Sequence, residues 1–208
     1  MEFLEGLNMS KRTLPNEYKP STSEVDNYLH LWNSLDNYVN QEHALDKLFF
    51  DLCKKNDNLE DILIKCSTLN DFYSTNIFDI HSVAKHILSI RQIDNRLKSG
   101  DLSLVDEIAH VEVGKEKSQR FFYSFASKYC SHHQPLKYAI YDNYVEKVLL
   151  YFKKRDNFYK FNNTDLKDYP TFISIIHNFQ KFYGLDGYSL KEIDKYLWQL
   201  GKEYYKNY

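Results

Sequence analysis

Apolar residues recur along most of this chain at spacings of three and four positions, which is the period of one face of an α-helix. Examples are Val25, Tyr28, Leu29 and Trp32; Ile80, Val83, Ala84, Ile87 and Leu88; and Val145, Val148, Leu149 and Phe152. Alternating patterns longer than three or four residues do not occur, and no fixed-period repeat is present. The sequence therefore predicts an all-α fold of about eight helices.

Several helix ends carry capping signals. Ser21 is followed by Glu24 and Ser189 by Glu192, which is the spacing of a capping box. Asn58 is a further candidate cap, and Gly100 suits the position that follows a helix. These signals predict a first helix from Thr22 to Leu35 and a last helix opened by Ser189.

The domain organisation follows from where the periodicity begins. Residues 1–20 are polar, contain Pro15 and Pro20 and show no period, which predicts a flexible N-terminal arm. Residues 21–208 are long enough to bury their own core and are predicted to form a single helical domain. Two sub-lobes with a cleft between them remain an alternative within that domain.

Cysteine usage and hydropathy indicate the compartment. The three cysteines are odd in number, far apart and free of metal-ligand spacing, which favours reduced thiols. No stretch approaches the roughly 18 apolar residues of a membrane span. The N-terminus also lacks a basic start followed by an apolar stretch. We therefore expect a cytoplasmic protein without a membrane partner, and the oligomeric state stays open.

Charge is distributed unevenly between the two halves of the chain. Residues 1–110 hold 18 acidic against 11 basic side chains, whereas residues 111–208 hold 11 against 16. Within residues 115–160 the balance is 10 basic to 4 acidic. A local excess of this kind suits a phosphate backbone, and a solvated helical surface explains it equally well.

The most informative segment spans residues 120–145 and reads RFFYSFASKYCSHHQPLKYAIYDNYV. Phe121, Phe125, Lys128 and His132 lie on one stripe of a predicted helix from Lys115 to Ser131. Beyond Pro135, Asp142 stands where the N-cap of the next helix belongs. Lys128 alone is explained by a stem along the core and an ammonium in water, and Asp142 alone by capping. Lys128 in a partly dry pocket would instead have a lowered pKa and a nucleophilic amine.

Together, FASK and the following IYD at the head of a helix resemble the helix-hairpin-helix DNA glycosylase superfamily, in particular bacterial 8-oxoguanine DNA glycosylase-like proteins. The resemblance covers about residues 70–155 and is specific around 125–145. It implies that Lys128 is the nucleophile that attacks C1′ of a damaged nucleotide and that Asp142 assists by its charge. It also implies double-stranded DNA as the partner.

The resemblance assigns further roles. Backbone and cationic groups for DNA binding are expected at Gly114, Lys115, Lys117, Arg120, Lys153, Lys154 and Arg155. Aromatic and histidine side chains for a base pocket are expected at Phe121, Phe125, Tyr129, His132, His133 and Tyr141. The family hairpin corresponds to HVEVGKEK, a predicted helix-to-helix turn at Gly114, although Glu112 stands where a glycine is usual and a carboxylate there would repel phosphate.

No pattern supports other chemistry. The eight histidines form no H-x-x-x-H or H-E-x-x-H pair, and the six glycines form no phosphate-binding loop, so neither a metal nor a cofactor is expected. The first hypothesis is a DNA repair glycosylase that removes an oxidised purine, with lyase activity through a lysine Schiff base. The alternatives are a non-enzymatic helical binding module in a phage-defence or regulatory role and a small oligomerising helical protein.

Overall fold

In a computed structural model of the protein, which describes residues 14–205, the fold is mostly helical, as the periodicity predicts. The α-helices are α1 (Thr22–Trp32), α2 (Asp36–Lys47), α3 (Leu59–Phe72), α4 (Ile80–Ser89), α5 (Ile93–Ser99), α6 (Ser103–Ala109), α7 (Tyr123–His133), α8 (Asn143–Asp156), α9 (Tyr169–Tyr183) and α10 (Leu190–Tyr204). A π-helical turn, Leu48–Leu52, continues α2, and a 3-10 turn, Asn163–Lys167, precedes α9.

The predicted helix caps at Ser21, Asn58 and Ser189 are confirmed. The side chains of Ser21 and Asn58 accept hydrogen bonds from the backbone three residues on, and Ser189 forms a full capping box with Glu192. Gly100 ends α5 with a φ of 79°, a conformation that glycine adopts without strain. The first helix is shorter than predicted, because it ends at Trp32 and not at Leu35.

The segment predicted as a helix-hairpin-helix turn is instead a β-hairpin. Strand β1 (His110–Val113) pairs antiparallel with β2 (Ser118–Phe121), with Val111 opposite Arg120. The predicted helix from Lys115 to Ser131 therefore begins only at Tyr123. Gly114 does have a positive φ, 72°, but in the hairpin turn. Only Val111 and Val113 on β1 face inward, and two positions are too few to reveal a strand period.

Helix α7 lies at the centre of the domain. Nine of its eleven residues are buried, because α3 and α6 pack against it. Helix α10 packs against both α1 and α8, and it closes the opposite side of the fold. A helix covered on several sides has few positions in contact with water, so a charged residue on α7 must find its partners inside the protein.

The part of the predicted flexible arm that the structure describes, residues 14–20, is packed against the domain. Leu14 is buried, and the hydroxyl groups of Tyr18 and Tyr196 lie 3.0 Å apart. The Arg155 guanidinium donates to the carbonyl oxygens of Asn16 and Tyr18. Residues 14–20 are therefore held against the domain, whereas the rest of the predicted arm, residues 1–13, lies outside the described residues.

Hydropathy of the helices gives one further result. Between residues 14 and 205, no helix combines the length and the apolar character that crossing a membrane requires.

Candidate active site

Lys128 lies in the middle of α7 and is 3% exposed, so its ammonium does not reach bulk water. Its Nζ donates to Ser124 Oγ at 2.5 Å and to the carbonyl oxygens of Ser124 and Tyr141, both at 3.4 Å. The ring centroid of Tyr73 lies 5.1 Å from the same atom. The interpretation of Lys128 as a lysine with its amine in solvent is therefore wrong.

Burial shifts the protonation equilibrium of this amine toward its neutral form. Burial lowers the pKa of Lys128 below the ordinary 10.5, and the negative charges of Asp142 and Asp194 oppose that shift. A lysine with a lowered pKa holds a larger fraction of unprotonated amine near neutral pH, and only that form is a nucleophile.

Asp142 is the N-cap of α8, as the sequence predicts, and its Oδ1 accepts the amide hydrogen of Tyr144 at 2.7 Å. The capping bond occupies one oxygen and orients the carboxylate. Both Asp142 and Lys128 line the same two cavities, so the residues singled out in the sequence do converge in space.

The first cavity, which we call the open cleft, has a volume of about 750 Å³ and is open to solvent. Its walls come from the loop after α3, from the end of β2 with the start of α7, from the start of α8 and from Lys167. Its lining residues are Tyr73, Ser74, Thr75, Ile77, Phe121, Phe122, Tyr123, Ser124, Phe125, Lys128, Tyr141, Asp142, Asn143, Glu146 and Lys167.

The second cavity, which we call the aromatic cavity, has a volume of about 430 Å³ and lies among α1, α2, α7 and α10. Its aromatic members are Trp32, Tyr38, Phe72, Tyr73, Tyr144 and Trp198. Its charged members are Glu42, Asp46, Lys128, Asp142, Lys191, Asp194, Lys195 and Lys202. Tyr73, Ser74, Lys128 and Asp142 line both cavities, which therefore meet at the lysine and the aspartate.

Two residues of this site escaped the sequence interpretation. Asp194 on α10 lines the aromatic cavity, and burial together with the nearby Asp142 raises its pKa well above the ordinary value, against the effect of Lys128. Tyr73 joins the site through its hydroxyl, which lies 2.8 Å from Nε2 of His132. Leu190, Asp194 and Leu197 share one helical stripe, so a carboxylate among apolar positions was the available signal for Asp194.

The predicted base-pocket residues are divided among different places. Phe121, Phe125 and Tyr141 line the open cleft, and His132 lines the aromatic cavity. Burial and two neighbouring lysines, Lys191 and Lys128, lower the pKa of His132 to about 3, so this imidazole is neutral at physiological pH.

The structure does not place Tyr129 and His133 in either cavity. Tyr129 follows Lys128 directly and so points about 100° away around the helix. Its hydroxyl donates to Asn56 Oδ1 at 2.5 Å, and Lys65 Nζ donates to the same oxygen at 2.6 Å. His133 Nε2 lies 3.3 Å from Lys65 Nζ. Both residues thus belong to a buried polar network that joins α7 to the loop before α3.

The predicted DNA-binding residues also lie in two separate regions. Lys115, Lys117 and Arg120 are exposed on the hairpin, whose second strand ends at Phe121 in the wall of the open cleft. The amide of Gly114 is not offered to a phosphate, because it donates to Asp79 Oδ2 at 2.9 Å. Glu112 accepts a hydrogen bond from Gln119 across the hairpin, at 2.9 Å.

Lys153, Lys154 and Arg155 lie at the far end of α8. Eleven residues separate Lys153 from Asp142, which is about 16 Å along a helix axis. The guanidinium of Arg155 is bonded to Asp156 and to the N-terminal segment, and Lys153 Nζ lies 4.6 Å from the ring centroid of Phe161. Of these three side chains, only Lys154 is exposed.

The described part of the chain contains neither a group of metal ligands nor an exposed thiol. Between residues 14 and 205, no three His, Cys, Asp or Glu side chains are grouped to hold a metal ion. Cys53, Cys66 and Cys130 are all buried thiols, and burial raises the pKa of each.

Comparison with known proteins places the chain in a protein family. Residues 24–137 match the HI_0787_N family, which is described as an N-terminal domain. The chain is also 48% identical over 169 residues to an uncharacterized protein of Haemophilus influenzae, and the alignment covers 81% of this chain and 76% of that protein. The chain belongs to the HI_0787_N family. No solved structure matches it. The family match includes Lys128 and ends before Asp142.

Proposed function

We propose that this protein is a DNA glycosylase that removes an oxidised purine, with Lys128 as the nucleophile and Asp142 as the assisting carboxylate. The observation that carries the proposal is the convergence of these two side chains at the junction of the open cleft and the aromatic cavity. The lowered pKa of Lys128 supports it further, because the attacking amine must be neutral.

The chemistry makes use of both groups. As the bond between C1′ and the base nitrogen breaks, the base leaves with the electron pair and positive charge develops on the sugar. The Asp142 carboxylate stabilises that charge, the amine of Lys128 forms a new bond to C1′, and the proton that this nitrogen then loses neutralises the departing base. Opening of the sugar ring gives a Schiff base, from which β-elimination breaks the bond between C3′ and its oxygen.

The open cleft suits a nucleotide that has left the helical stack. Flipping costs a few kcal/mol, which contacts in the protein must offset. Phe121, Tyr123 and Tyr141 supply aromatic surface in the cleft wall, and the exposed cations Lys115, Lys117 and Arg120 belong to the hairpin whose second strand ends at Phe121. In this proposal the glycosylase-like part of the fold is the pair of helices α7 and α8 that carries Lys128 and Asp142, since the segment expected to form the helix-hairpin-helix turn is a β-hairpin.

Borohydride trapping on a duplex that contains 8-oxoguanine tests the mechanism. We expect a covalent protein–DNA adduct in the parent protein and none in Lys128→Gln, which removes the amine and leaves a polar side chain that is one atom shorter. Lys85→Gln, at an exposed position on α4 outside both cavities, is the matched control and should trap normally. An undiminished adduct in Lys128→Gln, or none in the parent, would refute the assignment.

Asp142→Asn tests the second role. Asparagine retains the oxygen that caps α8, so the helix start is kept while the charge is lost. Removing one preorganised electrostatic group from an active site typically costs about 10² to 10³ in rate, and we expect a loss of that size in base removal. Full activity in this variant would leave Asp142 as a helix cap alone.

A non-enzymatic helical binding module is the second candidate. It is favoured by the three oxygen acceptors that already surround Lys128 Nζ, as they would surround a structural ammonium. Under this alternative the parent protein binds duplex DNA or another ligand without forming an adduct. The trapping experiment therefore separates the two candidates.

A further inference from the structure

The aromatic cavity contains a cluster of rings that come from three different helices. Trp32 of α1, Tyr38 of α2 and Trp198 of α10 surround one another with centroids 5.1 to 5.9 Å apart. Tyr144 of α8 lies edge-on to Trp198 at 6.4 Å. A cavity of this size falls in the range of about 300 to 1,000 Å³ that is typical of small-molecule sites, and such rings stack well on planar ligands.

Two carboxyl groups in this cavity differ sharply in their partners. Glu42 accepts hydrogen bonds from Trp32 Nε1 at 3.0 Å and from Lys195 at 2.8 Å, and Lys191 lies 2.7 Å away. Burial alone would raise the pKa of Glu42, but Lys191 and Lys195 lower it to about 2. The carboxyl of Asp194, by contrast, has no hydrogen-bond or ion-pair partner among residues 14–205 and lines the same cavity.

Asp194 is half-buried, and a carboxyl without a protein partner in the wall of a cavity is free to bond a ligand there. Burial and the charge of Asp142 favour the protonated form of Asp194, as its raised pKa indicates. A protonated carboxyl presents one donor and one acceptor side by side. A ligand complements this carboxyl if its ring carries an N–H group next to a C=O group, which is the edge of a lactam.

We infer that the aromatic cavity binds a planar heterocycle that pairs such a lactam edge with Asp194 and stacks on the rings of Trp32, Tyr38, Tyr144 and Trp198. This inference rests on the proposed function for its biological meaning. The flipped nucleotide enters through the open cleft, its sugar stays at Lys128 and Asp142 where the two cavities meet, and its base passes beyond them into the aromatic cavity.

The charges of the cavity favour a neutral ligand over a cation. The amine of Lys195 lies 4.8 Å from the ring centroid of Trp32, and that of Lys202 lies 4.6 Å from the ring of Trp198. A cationic ligand on these rings would meet like charge. Lys202 Nζ donates to the hydroxyl of Tyr38 and has no carboxylate partner among the described residues, so a planar ligand that stacks on Trp198 has one hydrogen bond of this lysine to displace.

The chain offers a direct reporter of binding. Its only two tryptophans, Trp32 and Trp198, both line the aromatic cavity, so a ligand that stacks there should quench the intrinsic fluorescence. The probe is free hypoxanthine, which has a lactam edge, and unsubstituted purine is the matched control without one. We expect saturable quenching by hypoxanthine and at least tenfold weaker binding of purine, both confirmed by calorimetry.

Variants at two aspartates make the assignment specific. We expect Asp194→Ala to weaken hypoxanthine binding at least tenfold. Asp194→Asn should retain it within about threefold, since a carboxamide also presents one donor edge and one acceptor. Asp71→Ala, which removes a carboxylate at an exposed position on α3 outside both cavities, should bind as the parent does.

The outcomes distinguish this inference from the proposed function. Absence of saturable hypoxanthine binding in the folded parent, or undiminished binding in Asp194→Ala, would overturn the inference even if the DNA adduct forms. Binding with the expected variant pattern but without any DNA adduct would support the cavity assignment and overturn the glycosylase mechanism. A melting transition for each variant verifies that it folds.

Discussion

Lys128 Nζ lies 3.4 Å from the carbonyl oxygen of Tyr141, the residue directly before Asp142. Ser124 Oγ joins the same pair, because it accepts from Nζ at 2.5 Å and donates to that carbonyl at 3.0 Å. The start of α8 is thereby fixed to the middle of α7. The relative position of amine and carboxylate depends on this small set of bonds, although thirteen residues of chain separate Lys128 from Tyr141.

The reactivity of Lys128 should depend on pH in a way that Asp142 controls. The pKa of this amine is lowered by burial, so its half-maximal rate of reductive methylation should fall below pH 10.5. Because the charge of Asp142 favours the ammonium, Asp142→Asn should move the profile to still lower pH. Mass spectrometry of the labelled protein measures the rate at Lys128, and exposed Lys85 in the same sample normalises the reagent. A shift to higher pH in the variant would contradict the assigned coupling.

Asp194 should make the stability of the parent protein fall as pH rises. Its pKa is raised in the folded state above the ordinary 3.8, so the folded state binds more protons than the unfolded state between those values. The free energy of unfolding therefore decreases as pH rises through that window. Asp194→Asn has no titratable group at this position. In urea unfolding, its free energy of unfolding relative to that of the parent should therefore increase from acidic to alkaline pH. Asp46→Asn is the control, and a constant difference between Asp194→Asn and the parent would refute the prediction.

Salt dependence should separate the two predicted DNA-binding regions. Lys115 and Lys117 are exposed at the turn of the hairpin whose second strand ends in the wall of the open cleft, whereas Lys153 and Lys154 lie at the opposite end of α8 from Asp142. Each phosphate contact contributes about 0.9 to the slope of log affinity against log salt, so Lys115→Ala with Lys117→Ala should reduce that slope by about 2. Lys153→Ala with Lys154→Ala should leave it unchanged. Fluorescence anisotropy with a labelled duplex measures both, and the reverse result would place DNA at the far end of α8.

The features that the sequence predicts well are those that depend on nearby residues. The caps at Ser21, Asn58, Asp142 and Ser189 involve bonds across two or three positions, so residue type and spacing suffice to find them. The positions of Lys128 and Asp142 at one junction required a resemblance, because the spacing of two residues on different helices says nothing about their distance in space.

The features that the sequence missed depend on contacts between distant segments. Each strand of the hairpin has only four residues, with Val111 opposite Arg120. A pattern this short does not show from the sequence that the two segments pair. Asp194 enters the site only because α10 packs closely on α8, which carries Asp142 at its start. The close approach of the two helices is a property of the tertiary structure, and it depends on Gly201, which has no side chain.

Gly201 permits the close contact between α10 and α8. A Cβ atom at this position would lie 2.7 Å from the Cβ of Tyr144 and 2.8 Å from its carbonyl oxygen. Since the second of these atoms belongs to the backbone, Gly201→Ala cannot be accommodated by a change of rotamer. We expect the variant to lose about 1 to 3 kcal/mol of stability, as in other overpacked cores, although alanine favours a helix by about 1 kcal/mol over glycine.

Gly187→Ala is the matched control for this prediction, because a Cβ there would meet nothing within 4 Å and the residue has no positive φ. Urea unfolding should show the loss at Gly201 alone. Because the clash involves the first turn of α8, Gly201→Ala should also shift Asp142 relative to Lys128 and lower the yield of trapped DNA adduct, whereas Gly187→Ala should trap as the parent does. A Gly201→Ala variant as stable as the parent would show that α10 can move away from α8 at little cost, and the position of Asp194 in the site would then not depend on this contact.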